Sequence, residues 1–515
     1  MLAVTWVGRV PYPYDLEWME GGMLAHAWRM RQELPLYPEP GPDWAPYIYP
    51  PGYSAMVAGL GSFVALHPAL GRGVSLLGTA VAALSLAHIL RRRGASLGWA
   101  FGLAACFLGT YPASGAFFDL VRPDGVSIGL VALSVALALD GRRGTATAAG
   151  LVLASAFLVK HNAAAFGVPL FVGLLLRERR DALRFAVASL GPALGMVGYL
   201  HWRTGGRFLV YLLEVPTSHP SIWSRFWPGT VQELGTALAV LTSVGALWLV
   251  LDLAKHSHLP VPVSTVVPVG LGMGAVSMAG FEAASPDVGE SLLLAGVAAF
   301  GVGTLAGWAG LRVVGLRRRP VSANDVLVVG VLITAFVMAG VMRAHNGGYL
   351  NVHLPLFWAV CLAFGWITVG GGGPVRWAVP AQLLVAIGVL LTSDLMPTPE
   401  ARAAGDQLVE ALAEEEGPVL SPFAAWLPTY AGHPPSVHYM ALWDLDYQGG
   451  PFVHRLDDVR EAVERQRWPQ AVRATRAFPY GLDKAYEPRG DVDVGDVMQP
   501  ATGWGVGPKA VLQPR

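Results

Sequence analysis

Residues 97–117 read LGWAFGLAACFLGTYPASGAF, residues 118–125 FDLVRPDG, residues 126–140 VSIGLVALSVALALD and residues 141–144 GRRG. The first run carries no charge and is as long as a helix crossing the hydrocarbon of a bilayer, roughly 20 residues. Asp119, Arg122 and Asp124 then crowd into one short turn, which belongs in water or at its edge. A second apolar run follows and ends at Arg142-Arg143. Backbone polar groups inside a bilayer must be satisfied within their own helix, so this alternation predicts an α-helical polytopic membrane protein.

The pattern extends both ways. Apolar runs lie at 73–90, 145–158, 161–176, 184–200, 231–254, 260–281, 291–311, 324–343, 350–369 and 376–394. With 97–117 and 125–139 they make about twelve spans, of which 125–139 and 145–158 must borrow flanking residues to reach across. The composition agrees: 53% hydrophobic, 14% charged and a mean hydropathy of +0.45 exclude an ordinary soluble protein. A formal net charge of zero gives no footprint for nucleic acid. The two cysteines, Cys106 and Cys361, sit in apolar runs and support neither a disulfide framework nor a thiolate metal site.

Arginines set the orientation. Arg91-Arg92-Arg93, Arg142-Arg143, Arg177/Arg179/Arg180/Arg184 and Arg317-Arg318-Arg319 fall in alternate loops, which the positive-inside rule makes cytoplasmic. The outward loops are then 119–124, 160–162, 201–230, 282–290 and 343–349. On this register the run 53–66, short and broken by Gly59 and Gly61, lies along the outer membrane face rather than spanning it. Residue 1 falls outside too. The reading therefore places a first spanning helix upstream, with Leu2–Val7 as its outer end.

Three domains result: a first outer loop with a juxtamembrane helix (1–72), a transmembrane helical domain (73–394) and an outer α/β domain (395–515). Thr398-Pro399-Glu400 is a helix start, with a capping hydroxyl, proline at the first helical position and an acid in the first turn. A helix at 400–415, a strand at 418–421, a helix at 456–467 and a strand at 471–478 follow. The Gly-, Pro- and Asp-rich stretch from Glu487 reads as a loosely ordered tail.

Ionisable side chains gather at the outer helix ends. Asp15, Glu17 and Glu20 lie in the first loop, Asp119, Arg122 and Asp124 in the second, and Lys160-His161-Asn162 in a tight turn. Arg343, His345, Asn346 and Tyr349 precede the eleventh span. Charge at a bilayer edge is costly enough to mark a site by default. Carboxylates able to take a proton, facing cations able to hold an anion, suit transfer from a phosphate-linked lipid. Each group also has a plain structural reading, as a cap, a snorkelling side chain or the polar face of a helix. The aromatic series Trp18, Trp28, Trp44, Tyr47, Tyr49 and Tyr53 is either an interfacial belt or a set of sugar-stacking faces. Zinc-ligand spacing, a Gly-rich phosphate loop and a Ser-His-Asp arrangement do not stand out.

In order and spacing these motifs resemble the C-type (GT-C) polytopic membrane glycosyltransferases, which include protein O-mannosyltransferases and aminoarabinose transferases. The resemblance rests on Asp15-Leu-Glu17-Trp-Met-Glu20, Glu33-Leu34-Pro35-Leu36-Tyr37 and the turn Tyr49-Pro50-Pro51-Gly52-Tyr53. Further matches are Gly71-Arg72-Gly73-Val74-Ser75, Arg122-Pro123-Asp124, Lys160 and the stretch from His345 to Leu354. It covers most of residues 10–370, on short and degenerate motifs. The family commonly has a neighbouring Asp-Glu pair, whereas the acids here are spread over Asp15, Glu17 and Glu20, so which one matches the catalytic acid stays open.

The resemblance implies an inverting transferase acting at the outer membrane face on a polyprenyl-phosphate sugar. An acid of the first loop, Asp15 first and then Glu17 or Glu20, would be general base on an acceptor hydroxyl. Arg122 and Lys160, with Arg343 from the far side, would hold the phosphate; Asp124, His161, His345, Tyr49 and Tyr53 would bind substrate. The resemblance fixes no cofactor: a divalent metal could bridge acid and phosphate, though no motif demands one. Protein, lipid and glycan acceptors all stay open. A transporter or flippase of a lipid-linked or anionic solute is the competing expectation. It calls for charges at span centres and inverted repeats.

Overall fold

The computed structural model describes residues 1–256, 321–370 and 373–515. Among the described residues five helices are long and apolar enough to cross a membrane: Pro68–Arg92, Arg179–Arg203, Ala323–Ala344, Leu350–Thr368 and Val375–Thr392. Shorter apolar helices, Leu97–Leu108, Thr145–Val159 and His161–Arg177, fill in between them. Asp124–Asp140 and the kinked Trp227–His256 complete the bundle among the described residues. The expected spans at 260–281 and 291–311, the loop 282–290 and Arg317–Arg319 lie outside the described residues.

The expected span 97–117 is helical only to Leu108. Pro112 removes a backbone donor, and Gly115 and Ala116 then turn into the left-handed region (φ +68° and +58°). The backbone from Gly109 to Pro123 is thereby spent on a compact, mostly buried turn that delivers Asp119, Arg122 and Asp124. Helices Pro68–Arg92 and Asp124–Asp140 cross closely there. A Cβ on Gly78 would lie 2.5 Å from the Gly125 carbonyl oxygen, so glycine sets their separation.

Asp124 and Asp140 sit at opposite ends of a 17-residue helix, about 25 Å apart at 1.5 Å per residue. At the Asp140 end, Arg92 pairs with Asp140 at 3.0 Å and Arg177 donates to the Ala138 carbonyl at 2.8 Å. Arg92 and Arg177, from two of the arginine-rich loops, therefore lie at the end of the bundle remote from Asp124.

Beyond Ser393 a small α/β unit covers the Asp124 end. Helix Pro399–Leu412 starts at Thr398, whose hydroxyl accepts from the Ala401 N–H at 3.1 Å. Its buried residues Ala401, Ala404, Gly405, Leu408, Ala411 and Leu412 fall on one face, at helical spacing. Strands β1 (Val419–Leu420), β2 (Gln470–Ala474), β3 (Tyr486–Asp493) and β4 (Pro508–Pro514) form one sheet of order β1-β2-β4-β3. β1 and β2 are parallel; the other pairs are antiparallel. The stretch from Glu487 differs from the loose tail expected, since it supplies most of β3 and all of β4. Buried Val506, Ala510, Val511 and Leu512 tie it to the core, and its glycines serve turns rather than disorder.

Candidate active site

The first loop is organised by one guanidinium. Arg72, fully buried near the start of Pro68–Arg92, takes the Glu20 carboxylate in a fork, Nε to Oε1 at 2.9 Å and Nη2 to Oε2 at 2.6 Å. Its remaining N–H groups donate to the carbonyls of Arg9 (3.1 Å), Tyr12 (2.5 Å) and Tyr14 (2.7 Å). Glu20 in turn accepts from the backbone N–H groups of Leu16 and Val121, both at 2.7 Å. Burial pushes the Glu20 pKa up, but Arg72 and these donors outweigh it and hold it below the usual range. A second buried pair, Arg9 Nε to Asp119 Oδ2 at 2.8 Å, anchors the preceding helix Leu2–Arg9, and Tyr111 Oη donates to Asp119 Oδ1 at 2.8 Å.

Glu17 meets a different environment. It is 2% exposed and lines a cavity of about 380 Å³ between the first loop, the helix ends and the α/β unit. Its Oε2 accepts from the Met19 N–H at 3.3 Å and lies 3.5 Å from Arg122 Nη1. Burial pushes its pKa up to about 7, with Arg122 opposing and the Glu20 charge adding. Proton exchange near neutrality is what a general base needs. Asp15 is half-buried and lies away from this cavity, lining a hollow of about 20 Å³ beside Tyr12, Tyr14 and Tyr430. Burial and the Glu20 charge push its pKa well above the usual range.

Arg122 reaches the cavity from the compact turn. Its backbone carbonyl accepts from Ser75 Oγ at 2.9 Å, and its Nη2 donates to Tyr49 Oη at 3.0 Å. Arg122 Nε stands 3.9 Å from Asp124 Oδ2, and neither atom has a hydrogen-bond partner. The other oxygen of Asp124 accepts from Lys160 Nζ at 2.6 Å and Asn351 Nδ2 at 2.8 Å. Lys160, His161 and His345 line the cavity with Arg122, and His345 Nε2 lies 3.2 Å from the Pro216 carbonyl.

Glu17, Arg122, Lys160, His161, His345 and Tyr49 thus share one cavity, and Asp124 stands behind its wall. Tyr53 does not reach it: its hydroxyl donates to the Gly71 carbonyl at 2.9 Å and lies 3.1 Å from Ser75 Oγ, joining helix Gly52–Leu60 to Pro68–Arg92. Arg343 stands outside the lining, paired with Glu233 at 2.9 Å and donating to the Gly348 carbonyl at 2.9 Å. Glu20 is committed to Arg72. Among the described residues no group of three or more His, Cys, Asp or Glu side chains converges as a metal site would.

The α/β unit adds lining residues that sequence reasoning missed: Tyr439, Trp443, Asp444 and Trp504. Asp444 is buried, and its Oδ1, 3.9 Å from His219 Nε2, has no hydrogen-bond partner. Burial raises its pKa well above the usual range, with Arg122 opposing. One signal was available. Residues 14–18 read YDLEW and residues 443–447 read WDLDY, both aromatic–acid–Leu–acid–aromatic, and the two segments meet at the same cavity. His438 joins them, its Nε2 2.7 Å from the Trp18 carbonyl while its Nδ1 accepts from the Met440 N–H at 3.0 Å.

No family model matches the sequence, and no curated protein matches it. Among solved structures the chain is similar to two of ArnT from Cupriavidus metallidurans, one bound to undecaprenyl phosphate and one in the apo state. The TM-scores are 0.45 and 0.43, each at 14% identity and covering 92% of this chain and 91% of the other.

Proposed function

We propose that the chain is a membrane glycosyltransferase that moves a sugar from a polyprenyl-phosphate-linked donor to an acceptor hydroxyl at the outer membrane face. One observation carries this reading. A buried carboxyl whose pKa burial raises to about 7 shares a cavity with two cations, at the end of the bundle remote from Arg92 and Arg177.

Glu17 takes the acceptor hydroxyl proton. The acceptor oxygen attacks the anomeric carbon from the face opposite the phosphate, and the carbon–oxygen bond to phosphate breaks with its electron pair on the leaving group. Arg122 and Lys160 hold that phosphate, where charge-assisted hydrogen bonds in a site largely cleared of water are strongest. Asp124 and Asn351 keep Lys160 in place. Residues 395–515 act as an outer domain that closes the acceptor side.

The test is transfer of radiolabelled sugar from polyprenyl-phosphate donors in membranes carrying the full chain, with Glu17→Gln, Asp15→Asn and Glu20→Gln alongside. Loss of transfer in a folded Glu17→Gln protein supports the reading. Wild-type transfer by that variant, or solute movement without sugar transfer by the unaltered chain, overturns it.

A further inference from the structure

The loop ahead of β4 lines the cavity with Gly503 and Trp504 and is held at two points by Thr502. The Thr502 N–H donates to the Leu16 carbonyl at 3.2 Å, and the Thr502 hydroxyl donates to the Gly115 carbonyl at 2.7 Å. The first contact falls one residue before Glu17. The second falls on the left-handed turn that leads to Arg122, where Ala116 holds a conformation that side chains beyond glycine rarely adopt.

Gly503 comes next, with φ at +81°. A Cβ on it would stand 2.9 Å from Glu17 Cγ, closer than real Cβ contacts come, and 3.0 Å from Oε1. The backbone angle favours glycine, and any side chain here would displace the carboxyl beside it. Trp504 follows. Its ring is braced by Trp18 at 5.1 Å, Phe423 at 6.1 Å and Tyr439 at 6.4 Å, with the Arg476 guanidinium 5.7 Å from its centroid. Braced in this way, the indole is still 39% exposed and lines the cavity. A large aromatic face fixed by its neighbours yet left uncovered has its ordering entropy already spent and its apolar surface available to a ligand.

We propose that this strap belongs to the catalytic centre: Gly503 is a positioning residue that seats the Glu17 carboxyl, and Trp504 presents its ring to the apolar face of the transferred sugar. The inference rests on the reading of Glu17 as general base. It makes the last strands of the chain a functional part of the site and explains why an enzyme of helix ends would need them.

The test uses the full chain in membranes, with kcat and donor KM followed against pH for Gly503→Ala, Trp504→Ala, Trp504→Phe and Glu17→Gln, and melting recorded for each. Misplacing the base by a fraction of an ångström should lower the kcat plateau of Gly503→Ala by roughly ten- to a hundred-fold. The midpoint of its acidic limb should move, while donor KM stays within about two-fold. Loss of one aromatic face in Trp504→Ala should raise donor KM by about three- to ten-fold, and Trp504→Phe should recover most of that.

A folded Gly503→Ala protein with unchanged kcat and midpoint overturns the positioning role. Unchanged KM in Trp504→Ala overturns the sugar contact, and this arm still decides if Gly503→Ala does not fold. Wild-type transfer by Glu17→Gln sinks the base reading and the positioning role with it. A dead Glu17→Gln beside an unaffected Gly503→Ala sinks the positioning role alone.

Discussion

Glu17 Oε2 stands 3.5 Å from Arg122 Nη1, near enough to feel the cation and too far for a tight hydrogen bond. The carboxyl is therefore neither free nor locked. Burial raises its pKa to about 7 against the pull of Arg122. As the proposed base it must be ionised, so transfer should climb with pH through a midpoint near 7. Glu17→Gln should lower kcat by about a hundred- to ten-thousand-fold, the usual range for a general base, and Asp15→Asn should stay within several-fold of the unaltered chain.

Stability should move the opposite way. A carboxyl whose pKa rises from 4.5 unfolded to about 7 folded binds its proton more tightly when folded, so its contribution to stability is lost as pH climbs through that window. Glu17→Gln removes the titration. Melting of the variant should gain on the unaltered chain between pH 5 and 8; a gap that stays constant over that range would count against the raised pKa.

The Arg72–Glu20 fork should behave as architecture. Its guanidinium serves a carboxylate and three backbone carbonyls at once, which an ammonium cannot match. Breaking a buried pair of this kind costs about 3–5 kcal/mol. Glu20→Gln and Arg72→Lys should both lower the melting temperature and the yield of folded protein. In the fraction that folds, Glu17 should still set the pH midpoint of transfer, moved downward in Glu20→Gln because the Glu20 charge helps raise the Glu17 pKa. A well-folded Glu20→Gln protein that has lost only catalysis would hand the base role to Glu20.

Lys160 offers a separable readout, since it lines the cavity and is held by Asp124, which Asn351 in turn steadies. A hydrogen bond to a charged group is worth about 1.5–3 kcal/mol, or roughly ten- to a hundred-fold in affinity. Lys160→Met should weaken competition by polyprenyl phosphate by about that factor. Asn351→Ala should weaken it less. Unaltered competition by polyprenyl phosphate in Lys160→Met would remove Lys160 from the phosphate site.

The sequence made the membrane half of this site readable for a physical reason. Against a greasy background each charge is costly, so Arg122, Asp124, Lys160 and His345 stand out and their helix ends bring them together. The roles of Asp15, Glu17 and Glu20 could not be separated that way. Arg72, which locks Glu20, lies 52 residues from it. Asp444 and Trp504 were hidden for the converse reason: in a water-facing α/β unit acids and aromatics are ordinary, and only the fold shows which ones turn inward. The glycines of the last stretch misled because a glycine imposed by a positive φ looks, in one sequence, like a glycine of a disordered tail.

Asp444 gives the sharpest contrast with Glu17 across the cavity. It lies in the WDLDY segment that mirrors YDLEW, is equally buried, and has His219 beside it, whose Nε2 is 2.8 Å from the Asp444 carbonyl. Burial, only partly opposed by Arg122, holds its pKa well above the usual range and so favours the protonated form, which can donate as well as accept. An amide has the same shape and the same capacity. Asp444→Asn should therefore keep transfer and melting close to those of the unaltered chain, whereas Asp444→Ala removes a polar group facing substrate and should raise KM. If Asp444→Asn instead abolishes transfer and the acidic limb moves with it, the ionised form of Asp444 is needed, and the cavity works with two bases rather than one.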